Sequence, residues 1–327
     1  MRGRRSCAWG LPARRSYVRA LAYNAGVKVP LAKRVKRYLR YCVVRAALFG
    51  VEWLPIQVAG RLGEALGSLA FRLASKTRRS ALESLARAFP EWSAERRRAL
   101  ACSSFQHLGR CAFELACIRQ LDPRIGQWVE WNEQQRGLLE NALARGRGVL
   151  FVSGHVGNWE LLARRVALAG LPASTIAKES SDWRLTRLVE RFRIQGRVES
   201  IWRGQRGAAK RMLRVLKSGG ILGFLIDQDT AVQSIFVPFF GHPAATPRAA
   251  ADLALKTGAA VVVGFCQRKE DGRYRLSMKE ILHRQTGDME NDVVALTQDL
   301  TAEIESAIRR TPEQWVWMHR RWKSQPC

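Results

Sequence analysis

From Gly148 onward, short apolar runs that favour β-strands alternate with longer amphipathic stretches that favour helices. Parallel strands need crossover connections, which helices supply, so this alternation predicts an α/β fold with a mostly parallel central sheet flanked by helices. The expected strands are GVLFVSG, ASTIA, RVESIW, GGILGFLID, GAAVVVGFCQR and RYRLSMKEI, and the expected helices cover residues 158–169, 182–195, 207–217, 247–257 and about 290–310. Asp271 and Gly272 form a turn pair that predicts a hairpin between the last two strands.

The N-terminal part divides into two segments before this α/β domain, which we expect over residues 76–325. Residues 1–40 form a basic arm with twelve Lys or Arg and no acidic residue. The arm is compatible with contact to a polyanion or an anionic membrane, and equally with a solvated tail. Residues 41–75 predict two amphipathic helices broken at Pro55, which either lie in a membrane interface or pack on the main domain. Ser93 is the expected N-cap of a later helix.

The net charge is strongly positive, with 55 Lys and Arg against 28 Asp and Glu, or +27. Such an excess indicates an anionic partner: nucleic acid, acidic lipid or an acidic carrier protein. No nucleic-acid-binding motif occurs, so we expect no nucleic acid partner, although RNA or DNA binding stays an alternative. In WRGQRGAAKRMLR, basic residues at spacings of three and four predict one basic helix face, formed by Arg203, Arg206, Lys210 and Arg214.

Cysteine and histidine spacing indicates neither a disulfide framework nor a metal site. The seven cysteines contain no C-x-x-C pair, so we expect them to be reduced and mostly buried. The five histidines have no ligand spacing with one another or with cysteine, and we therefore predict no metal. No secretory signal pattern follows the basic start.

A histidine, His155, follows the buried run VLFVSG, and Glu160 follows it by five residues at the start of a predicted helix. Functional groups of α/β sheets lie at the carboxyl ends of strands. With glycines at 154 and 157 permitting a turn, we predict that Glu160 contacts the His155 ring and that His155 is a general base. Ser153 keeps a serine hydrolase conceivable, although VSGHVG is not the G-x-S-x-G elbow. A capping histidine beside a surface glutamate is the structural alternative.

Two later blocks of the sequence are rich in aromatic residues. In FVPFFGHPAAT, Phe239 and Phe240 are compatible with one wall of an apolar tunnel or with core packing, and Thr246 and Pro247 are the expected start of a helix. The tail TPEQWVWMHRRWK interleaves tryptophans with basic residues, which suits a phosphorylated lipid or an interface, and equally a nucleic-acid patch.

Four blocks in order, GHVGNWE, LKSGGILGFLIDQD, FVPFFGHPAAT and TPEQWVWMHRRWK, closely resemble the bacterial lipid A biosynthesis acyltransferases, the lauroyl and myristoyl transferases of the lysophospholipid acyltransferase superfamily. The resemblance covers roughly residues 40–323. It implies a glycerolipid-acyltransferase-like fold and transfer of a fatty acyl group from acyl carrier protein, or from coenzyme A in relatives, to a hydroxyl of a lipid A precursor. The co-substrate is then the acyl thioester, without a further cofactor, and the site of action is the cytoplasmic face of the inner membrane.

The resemblance also implies residue roles. His155 and Glu160 match the family's H-x4-D/E motif as base and supporting acid. The substrate-binding positions carried over are Arg191 or Arg193, Asp227 and Asp229, and we add the tail arginines Arg320 and Arg321. The Arg-rich start, Ser84 in place of an asparagine, and the absence of an Asn-Pro pair in KESSDWRLTRL depart from the family pattern. These departures leave open another amphiphile as acceptor: a lysophospholipid, an ornithine lipid or a glycolipid.

Overall fold

A computed structural model describes residues 30–283 and 285–326. The chain divides into two compact units, residues 1–45 and 46–327. Most of the predicted basic arm therefore lies outside the described residues, and its described end, residues 31–40, is helical. The expected α/β domain, residues 76–325, lies within the second unit.

Twelve α-helices and nine strands occur in the described ranges. The helices are α1 (Leu31–Glu52), α2 (Ile56–Leu73), α3 (Ser75–Ala88), α4 (Ala94–Ala116), α5 (Ile118–Leu121), α6 (Ile125–Trp128), α7 (Glu133–Ala144), α8 (Trp159–Leu168), α9 (Trp183–Gln195), α10 (Ala208–Lys217), α11 (Ala249–Thr257) and α12 (Met289–Arg310). The strands are β1 (Val129–Glu130), β2 (Val149–Ser153), β3 (Ala173–Lys178), β4 (Glu199–Arg203), β5 (Ile221–Leu225), β6 (Ser234–Phe239), β7 (His242–Pro247), β8 (Ala260–Arg268) and β9 (Tyr274–Glu280).

Seven strands form the central sheet, in the order β1-β9-β8-β2-β5-β3-β4. All neighbours are parallel except β8 and β9, whose hairpin turns at Lys269–Gly272 as the Asp-Gly pair predicts. The predicted fold class, a mostly parallel sheet flanked by helices, is confirmed. Because β2 lies between β8 and β5, its five residues are all buried and its carboxyl end opens at the middle of the sheet edge.

The two faces of the sheet carry two separate cores. Alternate residues of β2 point to opposite faces: Leu150 and Val152 join one cluster, and Val149 and Phe151 join the other. The first cluster packs under α3, α10, α11 and α12, and it also contains Trp315, Trp317 and Trp322 from the C-terminal segment. The second packs under α7 and α8.

The segment FVPFFGHPAAT differs from the expectation. Residues 234–239 and 242–247 form a separate antiparallel hairpin, β6–β7, in which Phe239 pairs with His242. Thr246 and Pro247 therefore end a strand, and α11 begins only at Ala249, so the predicted helix start was wrong. Phe239 and Phe240 are core residues, 0% and 5% exposed, which is the packing alternative.

The break at Pro55 between α1 and α2 is as predicted. No helix among the described residues has the length and apolarity needed to span a bilayer. Ser93 caps α4, accepting a hydrogen bond from the Arg96 backbone N–H at 3.2 Å, which confirms that prediction.

Helices α2 and α4 pack so closely that their backbones are in contact, and glycines make this approach possible. A Cβ atom at Gly63 would lie 2.4 Å from the Gly109 carbonyl oxygen, and one at Gly67 would lie 2.3 Å from the Phe105 carbonyl oxygen. Such distances leave no room for a side chain. One face of α2 is therefore fixed against α4, and the opposite face is left toward solvent.

We expect Gly63→Ala to destabilise the protein by about 1–3 kcal/mol, because the added methyl group forces the two helices apart. Gly137→Ala is the matched control: Gly137 lies within α7, and a Cβ atom there meets nothing within 4 Å. The control should be neutral or stabilising by up to about 1 kcal/mol. The measurement is the free energy of unfolding in detergent. Equal stability of Gly63→Ala and wild type would contradict the close packing.

Candidate active site

The turn after β2 delivers His155 to the carboxyl edge of the sheet. Gly154 is packed closely, since a Cβ atom there would lie 3.1 Å from an Asp227 carboxylate oxygen. Gly157 has a φ of +65°, and its Cβ atom would lie 2.0 Å from the Cys266 carbonyl oxygen. The Asn158 side chain then caps α8 by accepting from the Leu161 N–H. Both glycines are thus required by the turn, as the sequence indicated.

The carboxylate of Asp227 holds His155 in two ways. It accepts hydrogen bonds from the ring Nδ1, at 2.7 Å, and from the His155 backbone N–H, at 2.6 Å. A third hydrogen bond comes from the indole Nε1 of Trp315, at 2.8 Å. Burial acts to raise the pKa of Asp227, but the adjacent His155 charge and these hydrogen bonds outweigh it and lower the pKa to about 2.

This arrangement leaves Nε2 of His155 without a hydrogen-bond partner among the described residues. The side chain is 19% exposed, and Trp159 packs edge-on to the ring at 4.8 Å between centroids. Because Nδ1 donates to an ionised carboxylate, the neutral ring carries its lone pair on Nε2. A partly exposed, oriented proton acceptor is the result.

The predicted contact between Glu160 and His155 was wrong, because Asp227 occupies that position. Glu160 instead forms a bidentate pair with Arg193, with distances of 3.0 Å to Nε and 2.5 Å to Nη2. Both side chains are mostly buried. Five residues of chain bring Glu160 to the first turn of α8, where it faces α9 rather than the ring.

The other predicted arginines differ in how deeply their side chains are buried. Arg191 is exposed on α9 and has no ion pair among the described residues, so Arg193 is the one of the two that meets Glu160. Arg320 is exposed. Arg321 is fully buried and donates to the Ala245 carbonyl and the Thr246 hydroxyl, and burial lowers its pKa to about 10. Arg321 therefore cannot contact a substrate phosphate in this structure; it fastens the C-terminal segment to β7.

Asp229 lies near Asp227 but faces the C-terminal segment. Its carboxylate accepts from the Ser324 backbone N–H at 2.7 Å and pairs with Lys323 at 3.5 Å. Burial acts to raise the pKa of Asp229, and the bonds from Ser324 and Lys323 hold it below its usual value. Its backbone N–H donates to Nε2 of His319 at 3.1 Å.

An apolar cavity begins beside this edge of the sheet. It lies between α8 and the strands β2, β3 and β5, and its polar members are Ser153, Glu160, Ser174, Thr175 and Arg193. Its apolar lining includes Phe151, Trp159, Leu162, Val166, Ala173, Ile176, Ile221, Phe224 and Leu225. Phe239 and Phe240 do not line it, so they are not its wall.

Ser153 does not complete a nucleophile arrangement. Its hydroxyl is buried, and among the residues that the structure describes it is within hydrogen-bond distance only of the Gly154 carbonyl, at 3.4 Å. The described ranges also contain no group of three or more His, Cys, Asp or Glu that could hold a metal ion. The five cysteines that the structure describes are free, and three of them are buried.

Sequence reasoning missed two participants, Trp315 and the ring-binding role of Asp227. Both lie far from His155 in sequence, 160 and 72 residues away by numbering. The strand-end position of Asp227 was the available signal. For Trp315 the signal was its place in the last of the four family blocks.

Comparison with known proteins identifies the family of the chain. The model of the family "Bacterial lipid A biosynthesis acyltransferase" matches residues 30–324. The chain is 30% identical over 286 residues to the lipid A biosynthesis lauroyltransferase of Escherichia coli (strain K12), covering 85% of this chain and 90% of that protein. It is also 30% identical over 289 residues to the lipid A biosynthesis palmitoleoyltransferase of the same strain, with the same coverage.

A more distant similarity extends to phosphatidylinositol mannoside acyltransferase of Mycobacterium tuberculosis (strain ATCC 25618 / H37Rv), 27% identical over 238 residues, or 68% of this chain and 70% of that protein. The relatives are acyltransferases by name, and the family match spans nearly the whole described chain. The protein is therefore an acyltransferase enzyme that belongs to the bacterial lipid A biosynthesis acyltransferase family.

Proposed function

We propose that this enzyme transfers a fatty acyl group from a thioester, on acyl carrier protein or coenzyme A, to a hydroxyl of a lipid A precursor. The observation that carries the proposal is the His155–Asp227 pair. The partly exposed His155 side chain lies at a sheet edge beside an apolar cavity, and its Nε2 has no hydrogen-bond partner among the described residues. This pair supplies a base without a side-chain nucleophile. Direct attack of the acceptor hydroxyl on the thioester is the reaction that such a pair suits.

In the proposed mechanism, Nε2 of His155 removes the proton of the acceptor hydroxyl as its oxygen attacks the thioester carbon. Asp227 fixes the ring tautomer and stabilises the positive charge that the ring acquires. Collapse of the tetrahedral intermediate breaks the carbon–sulfur bond. The departing sulfur takes the proton from Nε2, which leaves an ester and a free thiol.

The Glu160–Arg193 pair is assigned a supporting role at the mouth of the cavity, with Arg193 binding an anionic substrate oxygen. Nη1 of Arg193 is buried and has no hydrogen-bond partner in the described structure, so it is available to a ligand. The free volume of the cavity is about 60 Å³. This is below the roughly 150 Å³ that admits benzene, so an acyl chain has to displace lining side chains to enter.

We expect His155→Ala and Asp227→Asn each to lower kcat by about 10²–10⁴-fold, because the first removes the base and the second removes the charge that orients it. Glu160→Gln should lower kcat less, since it does not touch the ring. The measurement is transfer of a radiolabelled acyl chain from acyl carrier protein to a lipid A precursor, with melting temperatures as the folding control. Glu160→Gln being more damaging than a folded Asp227→Asn would reverse the assignment.

A second acceptor class, a glycosylated phospholipid, is favoured by the similarity to the phosphatidylinositol mannoside acyltransferase. The same assay with a mannosylated phosphatidylinositol and with a lysophospholipid as acceptors separates these classes. Turnover of one of them, with no product from the lipid A precursor, would replace the proposed substrate and keep the mechanism.

We further propose that the enzyme works at the cytoplasmic face of the inner membrane and binds the bilayer through the exposed face of α2. On the side of α2 away from α4, five apolar residues recur at spacings of three and four, each at least 41% exposed. They are Val58, Leu62, Leu66, Leu69 and Leu73. Arg61 and Arg72 lie on the same helix, and such a pattern suits an interfacial helix on anionic lipid.

We expect Leu62→Glu combined with Leu66→Glu to weaken binding to phosphatidylglycerol-containing vesicles by at least about 100-fold, since each buried leucine is worth about 1.5–3 kcal/mol. Leu282→Glu is the control, because Leu282 is 85% exposed but lies in the loop after β9. Vesicle co-sedimentation gives the affinities. Equal binding by the double variant and the control would exclude α2 as the contact.

For the donor, we propose that α10 meets the acidic acyl carrier protein. Helix α10 follows the carboxyl end of β4, at the same sheet edge as His155, and Arg206, Lys210 and Arg214 are exposed. The predicted helix face of four basic residues was wrong, because Arg203 ends β4 and Arg206 lies in the turn before α10, which leaves Lys210 and Arg214 on the helix. Arg203 contributes less, because it is partly buried and donates to the Thr230 hydroxyl. Opposite charge on a carrier speeds encounter by steering.

We expect Arg206→Glu combined with Lys210→Glu to lower kcat/KM for the carrier-protein donor several-fold at low salt, with little change in kcat. The effect should shrink as salt is added, because the Debye length is about 8 Å at physiological ionic strength. With an acyl-CoA donor the loss should be smaller. The control is Lys217→Glu combined with Lys256→Glu, which reverses two exposed charges toward the other edge of the sheet. Parallel salt profiles for the two double variants would contradict docking on α10.

A further inference from the structure

A second histidine, His319, is held near the catalytic pair by the C-terminal segment. The segment is fixed on one side by the Trp315 indole, which donates to Asp227, and on the other by the Ser324 contacts with Asp229. Between them, Nε2 of His319 lies 3.1 Å from the backbone nitrogen of Asp229. Hydrogen bonds on both sides of His319 in the chain therefore fix the position of its ring.

This contact fixes which ring nitrogen of His319 carries the proton. A backbone N–H can only donate, so Nε2 accepts and the neutral ring has its proton on Nδ1. Burial lowers the pKa of His319; the charges of Asp227 and Asp229 act to raise it, whereas those of His155 and Arg321 act to lower it. The contact with Asp229 points the same way, because Nε2 can accept a hydrogen bond only when it carries no proton.

The Nδ1–H group of His319 donates no hydrogen bond within the part of the chain that the structure describes. Its side chain is partly exposed, and Nδ1 has no hydrogen-bond partner in residues 30–283 and 285–326. The ring lies close to the reaction centre because Asp229 follows Asp227 by two residues, a distance of at most about 7 Å along the backbone. The active-site edge of the sheet thus carries one ring nitrogen that accepts, on His155, and one that donates, on His319.

We propose that His319 is a catalytic residue whose Nδ1–H donates a hydrogen bond to the thioester carbonyl oxygen as that oxygen becomes an oxyanion. This inference rests on the acyl transfer proposed above. When the acceptor oxygen attacks, the carbonyl π electrons move onto this oxygen and His319 stabilises the charge without transferring its proton. When the carbon–sulfur bond breaks, the carbonyl re-forms, and the thiolate takes its proton from His155.

The surroundings favour an oxyanion over a resident phosphate as the acceptor of this bond. Asp227 and Asp229 both lie near the ring, and their negative charges oppose a permanently dianionic group. A neutral, already oriented N–H donor is the type of group that stabilises a charge formed only in the transition state. Removal of one such donor costs about 10²–10³ in kcat.

Two substitutions separate this role from a structural one. In His319→Gln the side-chain carbonyl reaches the former Nε2 position, so it keeps the acceptor for the Asp229 N–H and loses the Nδ1 donor. In His319→Asn the amide nitrogen reaches the former Nδ1 position, so it keeps the donor and loses the acceptor. The two variants therefore test the acceptor function of Nε2 and the donor function of Nδ1 separately.

We expect His319→Gln to keep the wild-type melting temperature and to lower kcat by about 10²–10³-fold, with KM for the lipid acceptor within about threefold. His319→Asn should retain kcat within about tenfold of wild type. His242→Asn, a change at an exposed histidine of the β6–β7 hairpin, is the control and should leave both constants unchanged. Acyl transfer is measured as above, with His155→Ala alongside.

The reverse order, with Asn inactive and Gln active, would overturn the proposal, because the Asp229 contact would then be what matters. A rise in the acceptor KM with unchanged kcat would overturn it in favour of phosphate binding. Full activity of His319→Gln beside an inactive His155→Ala would refute this inference alone. Absence of transfer by the wild-type enzyme would refute the proposed function itself.

Discussion

The buried, ionised carboxylate of Asp227 is the interaction on which the rest of the site depends. An isolated charge in a protein interior is costly, so each hydrogen bond that it receives is needed. These bonds come from two distant parts of the chain: the His155 turn after β2, and Trp315 in the C-terminal segment. The same charge therefore orients the His155 ring and holds the C-terminal segment at the sheet edge. Gly154 allows the approach, because a side chain there would contact the carboxylate.

The C-terminal segment is part of the core rather than an appendage. Trp315 and Trp317 are 1% and 0% exposed and pack edge-to-face at 4.6 Å between centroids. Arg321, also fully buried, donates to β7. The two tryptophan rings and the buried Arg321 guanidinium exclude water from the interior next to Asp227. Electrostatic interactions are stronger where water is excluded. The basic and aromatic character that suggested a lipid or nucleic-acid patch has, in these residues, a packing explanation.

Periodic features of the sequence predicted the sheet well, whereas pairings between distant residues were not predictable. Apart from the β6–β7 hairpin and the start of α11, the strand and helix order from Gly148 onward was correct, and so was the Asp271–Gly272 turn, because these features depend on local backbone preferences. The β6–β7 hairpin was missed because its turn lacks a typical Asn-Gly or Asp-Gly pair; Phe240 instead adopts a φ of +51°. The partner of His155 was misassigned because Glu160 is near in sequence, while Asp227 is brought near only by parallel pairing of β2 with β5. Sequence spacing cannot reveal that pairing.

The exposed basic residues that give the chain its positive charge lie apart from the candidate active site. At the site the cations are offset or enclosed: Arg193 pairs with Glu160, Lys323 with Asp229, and Arg321 is buried. The reaction centre therefore combines neutral donors and acceptors with one compensated carboxylate. Exposed cations, such as Arg206 and Lys210, act through a field that salt screens within about 8 Å. In the function proposed above, these cations act on the rate of encounter with an acidic carrier or a membrane, and the His155–Asp227 pair acts on the chemical step. Substitution of the exposed cations should consequently change mainly kcat/KM, whereas substitution of His155 or Asp227 should change mainly kcat.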